Sequence, residues 1–293
     1  MKLFKKKNLV QNAADASLGP EGNGRNFRGF LGTVVSDTGR VRRNNEDNYL
    51  LGMRINENCE KSSEAALFIP SPPFGWNLVG VFDGMGGGEK GELAALLAAQ
   101  EFRGAARELA SVPTGEAADG ILRRAFRNAN NRVVALQSQY GIYGTTGTVI
   151  CTDGNVFKIY HIGDSRAYLL RDQELFRLTR DHTLAQMKLD AGFYREDDPQ
   201  VERDKHKLTE YIGRDETGEN MCPEESQWIP IAAGDSILLC SDGLYDMCAD
   251  GEIRRILNLG AENRIKTTML VERALERGGV DNVTCVCMDF VRK

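Results

Sequence analysis

Residues 76–88 read WNLVGVFDGMGGG, an apolar run that ends on Asp83 and breaks into glycines. A short apolar run closed by a turn signal predicts a buried strand. The period changes directly after it. Across 88–110 (GEKGELAALLAAQEFRGAARELA), Leu93, Leu96, Leu97 and the alanines fall at helical spacing. From about Glu116 to Gln139 the same spacing returns with Ile121, Leu122, Phe126, Val133, Val134 and Leu136. A buried strand followed by two amphipathic helices predicts a helix pair lying on a sheet.

Outward from that unit the chain is mostly strands. Upstream, GTVVSD from Gly32 and DNYLLGMR are strand-like; downstream come YGTTGTVICTD, NVFKIYHIGD and SRAYLLRD, with Asp153-Gly154 as a hairpin turn. Residues 181–230 are polar and broken around a short helix at about 182–191. DSILLCSDG is another buried strand, 250–259 and 262–277 read as helices, and NVTCVCMDF is a final strand. Strand runs separated by helix pairs, without strict strand–helix alternation, predict an α+β fold with helices outside and antiparallel sheets inside. Residues 56–75, with Pro70, Pro72 and Pro73 and no clear period, read as a loop insertion. Residues 1–30 read as a flexible basic and polar tail, with four lysines in the first ten residues, and 31–293 as a single domain. The bland role for that tail is a solvated arm, with attraction to an acidic partner or lipid head groups as the alternative.

The composition excludes several classes. With 41% hydrophobic and 27% charged residues the chain is an ordinary globular protein, and its net charge of −5 argues against nucleic acid as a partner. The apolar run Leu93–Ala99 is far short of the ~20 residues a membrane-spanning helix needs. Seven cysteines, with no CxxC pair, fit a reducing, cytoplasmic setting better than a disulfide framework. Cys285 and Cys287 read as small hydrophobes on one face of a buried strand. A monomer is the simplest expectation.

Chemistry shows in where the acids fall. Glu46 and Asp47 precede a strand, Asp83 and Asp164 each close one, Asp242 follows SILLCS, and Asp281 with Asn282 opens the last. Carboxylates at strand tips are held rigidly without being sunk in a core. Several converging there repel one another unless divalent cations lie between them. Oxygen ligands with only three histidines (161, 182, 206) favour Mg²⁺ or Mn²⁺ over Zn²⁺. His161 reads as a satisfied, semi-buried strand residue, and His182 as a local capping residue.

The stretches GRVRRNNEDNY (39–49), VFDGMGGG (81–88), GTTGTV (144–149), HIGDSRAYL (161–169), LTRDHT (178–183), LLCSDGLYDM (238–247) and GGVDNVTCV (278–286) occur in this order. In this series the chain resembles the metal-dependent serine/threonine protein phosphatases of the protein phosphatase 2C (PPM) family, bacterial type, over roughly residues 32–291. The resemblance implies a four-layer α-β-β-α sandwich of two mainly antiparallel sheets flanked by helix pairs. It also implies a two-metal Mn²⁺/Mg²⁺ centre with a weaker third ion. By position, Asp83 resembles the bridging carboxylate, and Asp242 and Asp281 ligands of one metal. The Gly84 carbonyl belongs to the other, with Glu46 and Asp47 reaching it through water. Asp164 resembles the acid of the third ion, Arg42 the arginine that grips phosphate, and Asn282 a residue behind the ligands. Arg43 is expected on a strand, facing away.

The activity implied is hydrolysis of phosphoserine and phosphothreonine by direct attack of a metal-bridging hydroxide. Phosphorylated proteins, including a Ser/Thr kinase or its substrates, are the implied partners. Animal members carry a histidine where Met85 stands, so the proton donor is unassigned, with water beside Asp164 as the candidate. Residues 192–228 correspond to the family's flap beside the site, and KLTEYIG (207–213) resembles its far end. Two other readings compete: a catalytically silent phosphoprotein-binding member of the same fold, and a different metal hydrolase. The presence of Asp83, Asp242 and Asp281 argues against the first, and the acidic charge with the ordered motifs against the second.

Overall fold

The computed structural model describes residues 27–86, 90–141, 143–215, 217 and 221–292. Its centre is two sheets in which each strand pair is antiparallel. The first sheet runs β3 (Ser62–Pro70), β1 (Phe27–Asp37), β13 (Val283–Arg292), β12 (Ser236–Cys240), β8 (Arg166–Arg171), β9 (Glu174–Arg177). The second runs β10 (Glu224–Glu225), β7 (Val156–Ile162), β6 (Gly147–Thr152), β4 (Asn77–Met85), β2 (Asp47–Leu51). Two short strands join it, β5 (Gly144–Thr145) on β4 and β11 (Ile229–Pro230) on β7.

The strands are apolar on both faces because each serves two cores. Side chains of a strand alternate between faces. In β4, Leu78 and Phe82 point to one core while Val79 and Val81 point to another. In β12, Ile237 and Leu239 enter the core between the sheets, and Leu238 and Cys240 an outer one. The outer core of the second sheet is closed by α1 (Lys90–Leu109) and α2 (Gly115–Tyr140), whose Ala94, Ala98, Phe102, Leu122 and Phe126 are buried. The outer core of the first is closed by α6 (Asp250–Leu257) and α7 (Asn263–Glu276) through Ile253, Ile256, Leu270 and Ala274. Three cores between four layers give the α-β-β-α sandwich. Each fully buried Leu, Ile or Phe contributes roughly 1.5–3 kcal/mol, so the layers are strongly held.

The strand registers set the site. Asp47 pairs with Asp83, Gly147 with Ile162, and Cys240 with both Arg166 and Cys285. Antiparallel pairing therefore brings the start of β2, the end of β4, the end of β7, the end of β12 and the start of β13 to one end of the sandwich.

Several expectations change. The segment 56–75 is not simply a loop, since 62–70 is the edge strand β3, paired with β1 from Asp37↔Ser62 to Gly29↔Pro70. Only Ala65 and Ile69 of it are buried, so no period shows in its sequence. Residues 27–30, expected in the tail, belong to strand β1; residues 1–26 lie outside the described residues, as do Gly87 and Gly88 of the glycine run. Residues 41–46 form a loop, so Arg42 and Arg43 are both exposed loop residues, and strand alternation does not separate them. Asp83 lies within β4, which continues to Met85 by pairing with β5. Asp242 opens a single helical turn, α5 (Asp242–Tyr245). The expected helix at 182–191 is α3 (Leu184–Asp190), and the polar segment beyond it holds α4 (Pro199–Asp204). The CVC pair is as expected, Cys285 and Cys287 sharing one buried cluster, and the seven cysteines are free thiols. Among the described residues no helix is long and apolar enough to cross a membrane.

Candidate metal centre

At the acid-bearing end lies a cavity of about 590 Å³, lined by Arg42, Glu46, Asp83, Gly84, Met85, Asp164, Asp242 and Asp281 among others. Of the residues that the resemblance places at the site, Asp47 and Asn282 are not among those lining the cavity. Asp47 is buried; its Oδ2 accepts a hydrogen bond from Ser241 Oγ (2.7 Å), while its Oδ1 has no partner. Asn282 holds the loop that carries Arg42 and Glu46. Its Nδ2 donates to Thr38 O and Asn44 O, and its Oδ1 accepts from Glu46 N, each at 2.8 Å.

Glycines allow these elements to approach. A Cβ on Gly84 would lie 2.1 Å from Gly91 O, and one on Gly91 would lie 2.7 Å from Glu46 Oε2. The bare backbone there lets the end of β4, the start of α1 and Glu46 meet. Thr145 and Thr146 clamp the backbone of Asp83. Its carbonyl accepts from Thr146 N (2.8 Å) and Thr145 Oγ1 (3.0 Å), and its amide donates to Thr146 Oγ1 (2.9 Å). Thr146 Oγ1 also bonds Ser165 Oγ at 2.7 Å, which ties this clamp to the loop of Asp164.

The motifs GDSR and LTRDHT interlock behind that loop. Arg166 binds Asp181 through two bonds of 3.1 and 2.7 Å and stacks on Tyr245 at 3.4 Å, whose hydroxyl donates to Asp164 O. His182 is not a cap: Thr183 caps α3, while His182 Nδ1 accepts from Gly163 N and its amide donates to Gly163 O. His161 is satisfied, as expected, though fully buried, bonded to Thr148 Oγ1 and Arg180 O. Burial pushes its pKa down to about 4.

The electrostatics are those of a cation site. Burial raises Asp83 well above the carboxylate range, and the charges of Asp47, Asp242, Asp164 and Asp281 add to it. Burial likewise raises Asp164, reinforced by Asp242 and Asp181. Glu46 and Asp47 are each pushed up to about 7, chiefly by burial. Crowded carboxylates with one buried oxygen unpartnered fit hard divalent cations, which would neutralise the repulsion and take up the free lone pairs. Arg42 points one nitrogen at Asp281 Oδ2 (2.6 Å) from the cavity mouth.

Two ionisable cavity residues, His206 and Asp246, escaped the sequence reading. His206, from the segment 192–228, bonds Asp242 Oδ2 through Nδ1 (3.2 Å) and Asp246 Oδ2 through Nε2 (3.1 Å). These bonds push it up to about 10. For Asp246, its place one helical turn after Asp242 was a usable signal.

A family model described as protein phosphatase 2C matches residues 38–188, just over half of the chain. The chain belongs to the protein phosphatase 2C family. Among curated relatives, the serine/threonine protein phosphatase PstP of Mycobacterium tuberculosis is 34% identical over 262 residues, covering 87% of this chain. The chain spans 44% of the length of that relative. The serine/threonine phosphatase stp of Listeria innocua is 28% identical over 257 residues, which cover 87% of this chain and 93% of that one. Among solved structures, the catalytic domain of PstP in complex with two manganese ions superposes with a TM-score of 0.70 at 32% identity, covering 89% of this chain and 99% of that one. PppA of Pseudomonas aeruginosa superposes at 0.72 with 26% identity, covering 90% and 99%. The protein phosphatase 2C match ends at residue 188, so Asp242, Asp281 and His206 are placed in the cavity by the fold rather than by that match.

Proposed function

We propose that this chain is a metal-dependent protein phosphatase that hydrolyses phosphoserine and phosphothreonine in proteins. The observation that carries the reading is the convergence of Glu46, Asp83, Asp164, Asp242 and Asp281 with Arg42 in one cavity. The relatives named phosphatases, and the two manganese ions of the PstP catalytic domain, support it.

In this reading Asp83 would help to hold both of a pair of Mn²⁺ or Mg²⁺ ions. Asp242 and Asp281 would hold one; the Gly84 carbonyl, with Glu46 and Asp47 behind it, would serve the other; Asp164 would serve a weaker third. When bound, such a pair supplies an ionised water near neutral pH and polarises the phosphoryl oxygens. The residues do the rest. Thr145, Thr146 and Asn282 fix the carboxylates through their backbones, so little reorganisation accompanies reaction. Arg42 turns from Asp281 to the phosphate, whose paired oxygens match the guanidinium fork. Among the described lining residues there is no cysteine or serine, and the Thr146 hydroxyl is engaged with the Asp83 amide and Ser165, so no thiol or free hydroxyl lines the cavity to act as nucleophile in place of water. Met85 lines the cavity and has no proton to donate.

Phosphoproteins, among them a Ser/Thr kinase or its substrates, are the partners this activity implies, and the free cysteines fit a cytoplasmic location. The test is phosphate release from a phosphothreonine peptide with and without Mn²⁺, beside Asp242→Ala. Release that needs metal and vanishes in the variant is expected. Folded protein that releases nothing at any Mn²⁺ or Mg²⁺ concentration overturns the reading.

A further inference from the structure

His206 enters the cavity from the segment 192–228, not from either sheet, and it arrives there under constraint. On one side Asp204 accepts from Lys188 Nζ and Lys207 Nζ, both at 2.7 Å. On the other, Leu208 bridges to Thr183 and Ile212 to Thr145. The backbone around His206 is thus tied to α3 and to the Thr145–Thr146 clamp, and the imidazole is held over the acids. One ligand atom each of Asp164, His206 and Asp242 lie within 4.8 Å of one another.

The second nitrogen is equally informative. Nδ1 faces Asp242, and Nε2 lies 3.1 Å from the Asp246 carboxylate, which Lys205 Nζ holds in turn at 3.2 Å. A histidine that ligates a metal characteristically donates its other N–H to a carboxylate, which fixes its tautomer and ring orientation. Asp246 occupies that place.

We infer that His206 is a metal ligand, completing with Asp164 and Asp242 a third cation site in which the flap segment itself takes part, oriented by Asp246. The inference rests on reading Asp164 and Asp242 as metal ligands, and adds to it a nitrogen donor and a mechanical consequence. Ligation needs Nδ1 unprotonated, so the cation enters as that proton leaves to solvent. An imidazole donor shifts preference from Mg²⁺ toward Mn²⁺ and later first-row ions. Because His206 lies between Asp204 and Leu208, filling the site ties that stretch of the chain to the acids of the sheets.

Pulsed EPR of the full chain titrated with Mn²⁺ tests this without reference to activity. The expected result is a ¹⁴N coupling that grows in with the weakest ion and is absent in His206→Gln, which keeps the two tighter ions. Asp246→Asn should weaken that ion about 10-fold. His161 and His182 have both ring nitrogens engaged elsewhere, so the coupling reports on His206. Bound Mn²⁺ with no nitrogen coupling at saturation overturns the inference and leaves the phosphatase reading standing. No bound Mn²⁺ at all overturns both.

Discussion

Asp83 sits where burial and four neighbouring carboxylates all oppose its charge. The metal-free protein carries that opposition as a cost to stability. Replacing Asp83 with Asn should therefore raise the melting temperature of the metal-free protein by a few degrees, about 1 kcal/mol or more, although the site is damaged. The same variant should lose the melting-temperature rise that Mn²⁺ gives the parent. A drop in metal-free stability would mean that Asp83 is paired within the protein and is not held in readiness for a cation. Arg42 makes a second residue-scale prediction. It is half exposed and bonded to Asp281, so its loss leaves no buried charge. Arg42→Ala should fold normally and lose about 10²–10³-fold in kcat/KM on a phosphothreonine peptide. Arg42→Lys should recover only part of this, since a lysine offers no planar fork. Unchanged kinetics in the alanine variant would remove Arg42 from phosphate binding.

Among the elements, α5 carries Asp242 and the bend leading into β13 carries Asp281, and the separation of α5 from that bend sets the distance between those acids. Gly243 makes the contact possible: a Cβ there would lie 2.0 Å from Asn282 O. Gly243→Ala must push α5 away from β13, with an overpacking cost of about 1–3 kcal/mol. The same displacement should weaken Mn²⁺ binding, and calorimetric titration would show it. Parent-like affinity in a destabilised variant would mean that the acids tolerate the shift. The elements also differ in how far they could be read. Helices α1 and α2 show a full stripe of buried residues over many turns, so their spacing is visible in the chain. Strand β3 is as regular in its pairing but buries only Ala65 and Ile69, and an exposed edge strand leaves almost no hydrophobic pattern.

For the whole molecule, pH and metal act on the same charges. Glu46 and Asp47 have folded-state pKa values near 7, above their unfolded values. Their contribution to stability is therefore complete below about pH 4 and is lost as pH rises to 7. His161 works in the opposite sense: its pKa falls from 6.5 to about 4, so its contribution is present above 6.5 and lost as pH falls toward 4. Comparison with and without metal separates the two, because a cation at the acids leaves His161 untouched. Mn²⁺ should raise the melting temperature more at pH 8 than at pH 5, where protons compete for the same oxygens. Equal shifts at both pH values, followed by scanning fluorimetry, would show that the ion binds somewhere other than at Glu46 and Asp47.

Within the chain, local pattern determined the helices, the doubly apolar strands and the acids at their tips, because each is written in a few adjacent residues. Asp83 and Asp164 each follow an apolar run in VFDG and IGDS, a weak signal singly that becomes a candidate site only through the series of such acids along the chain. What no local pattern contains is register: that Asp47 faces Asp83, and that Cys240 faces both Arg166 and Cys285, follows from strands paired across long sequence separations. Those pairings bring separate strand ends to one cavity. His206 is the sharpest case. It lies in a polar stretch with no period, 36 residues before Asp242, and its neighbours in sequence say nothing of a metal. Only the ties of Asp204, Leu208 and Ile212 to the rest of the fold turn that histidine over the acids. Tertiary structure decided its place, because a loop's direction is set by what anchors its two ends.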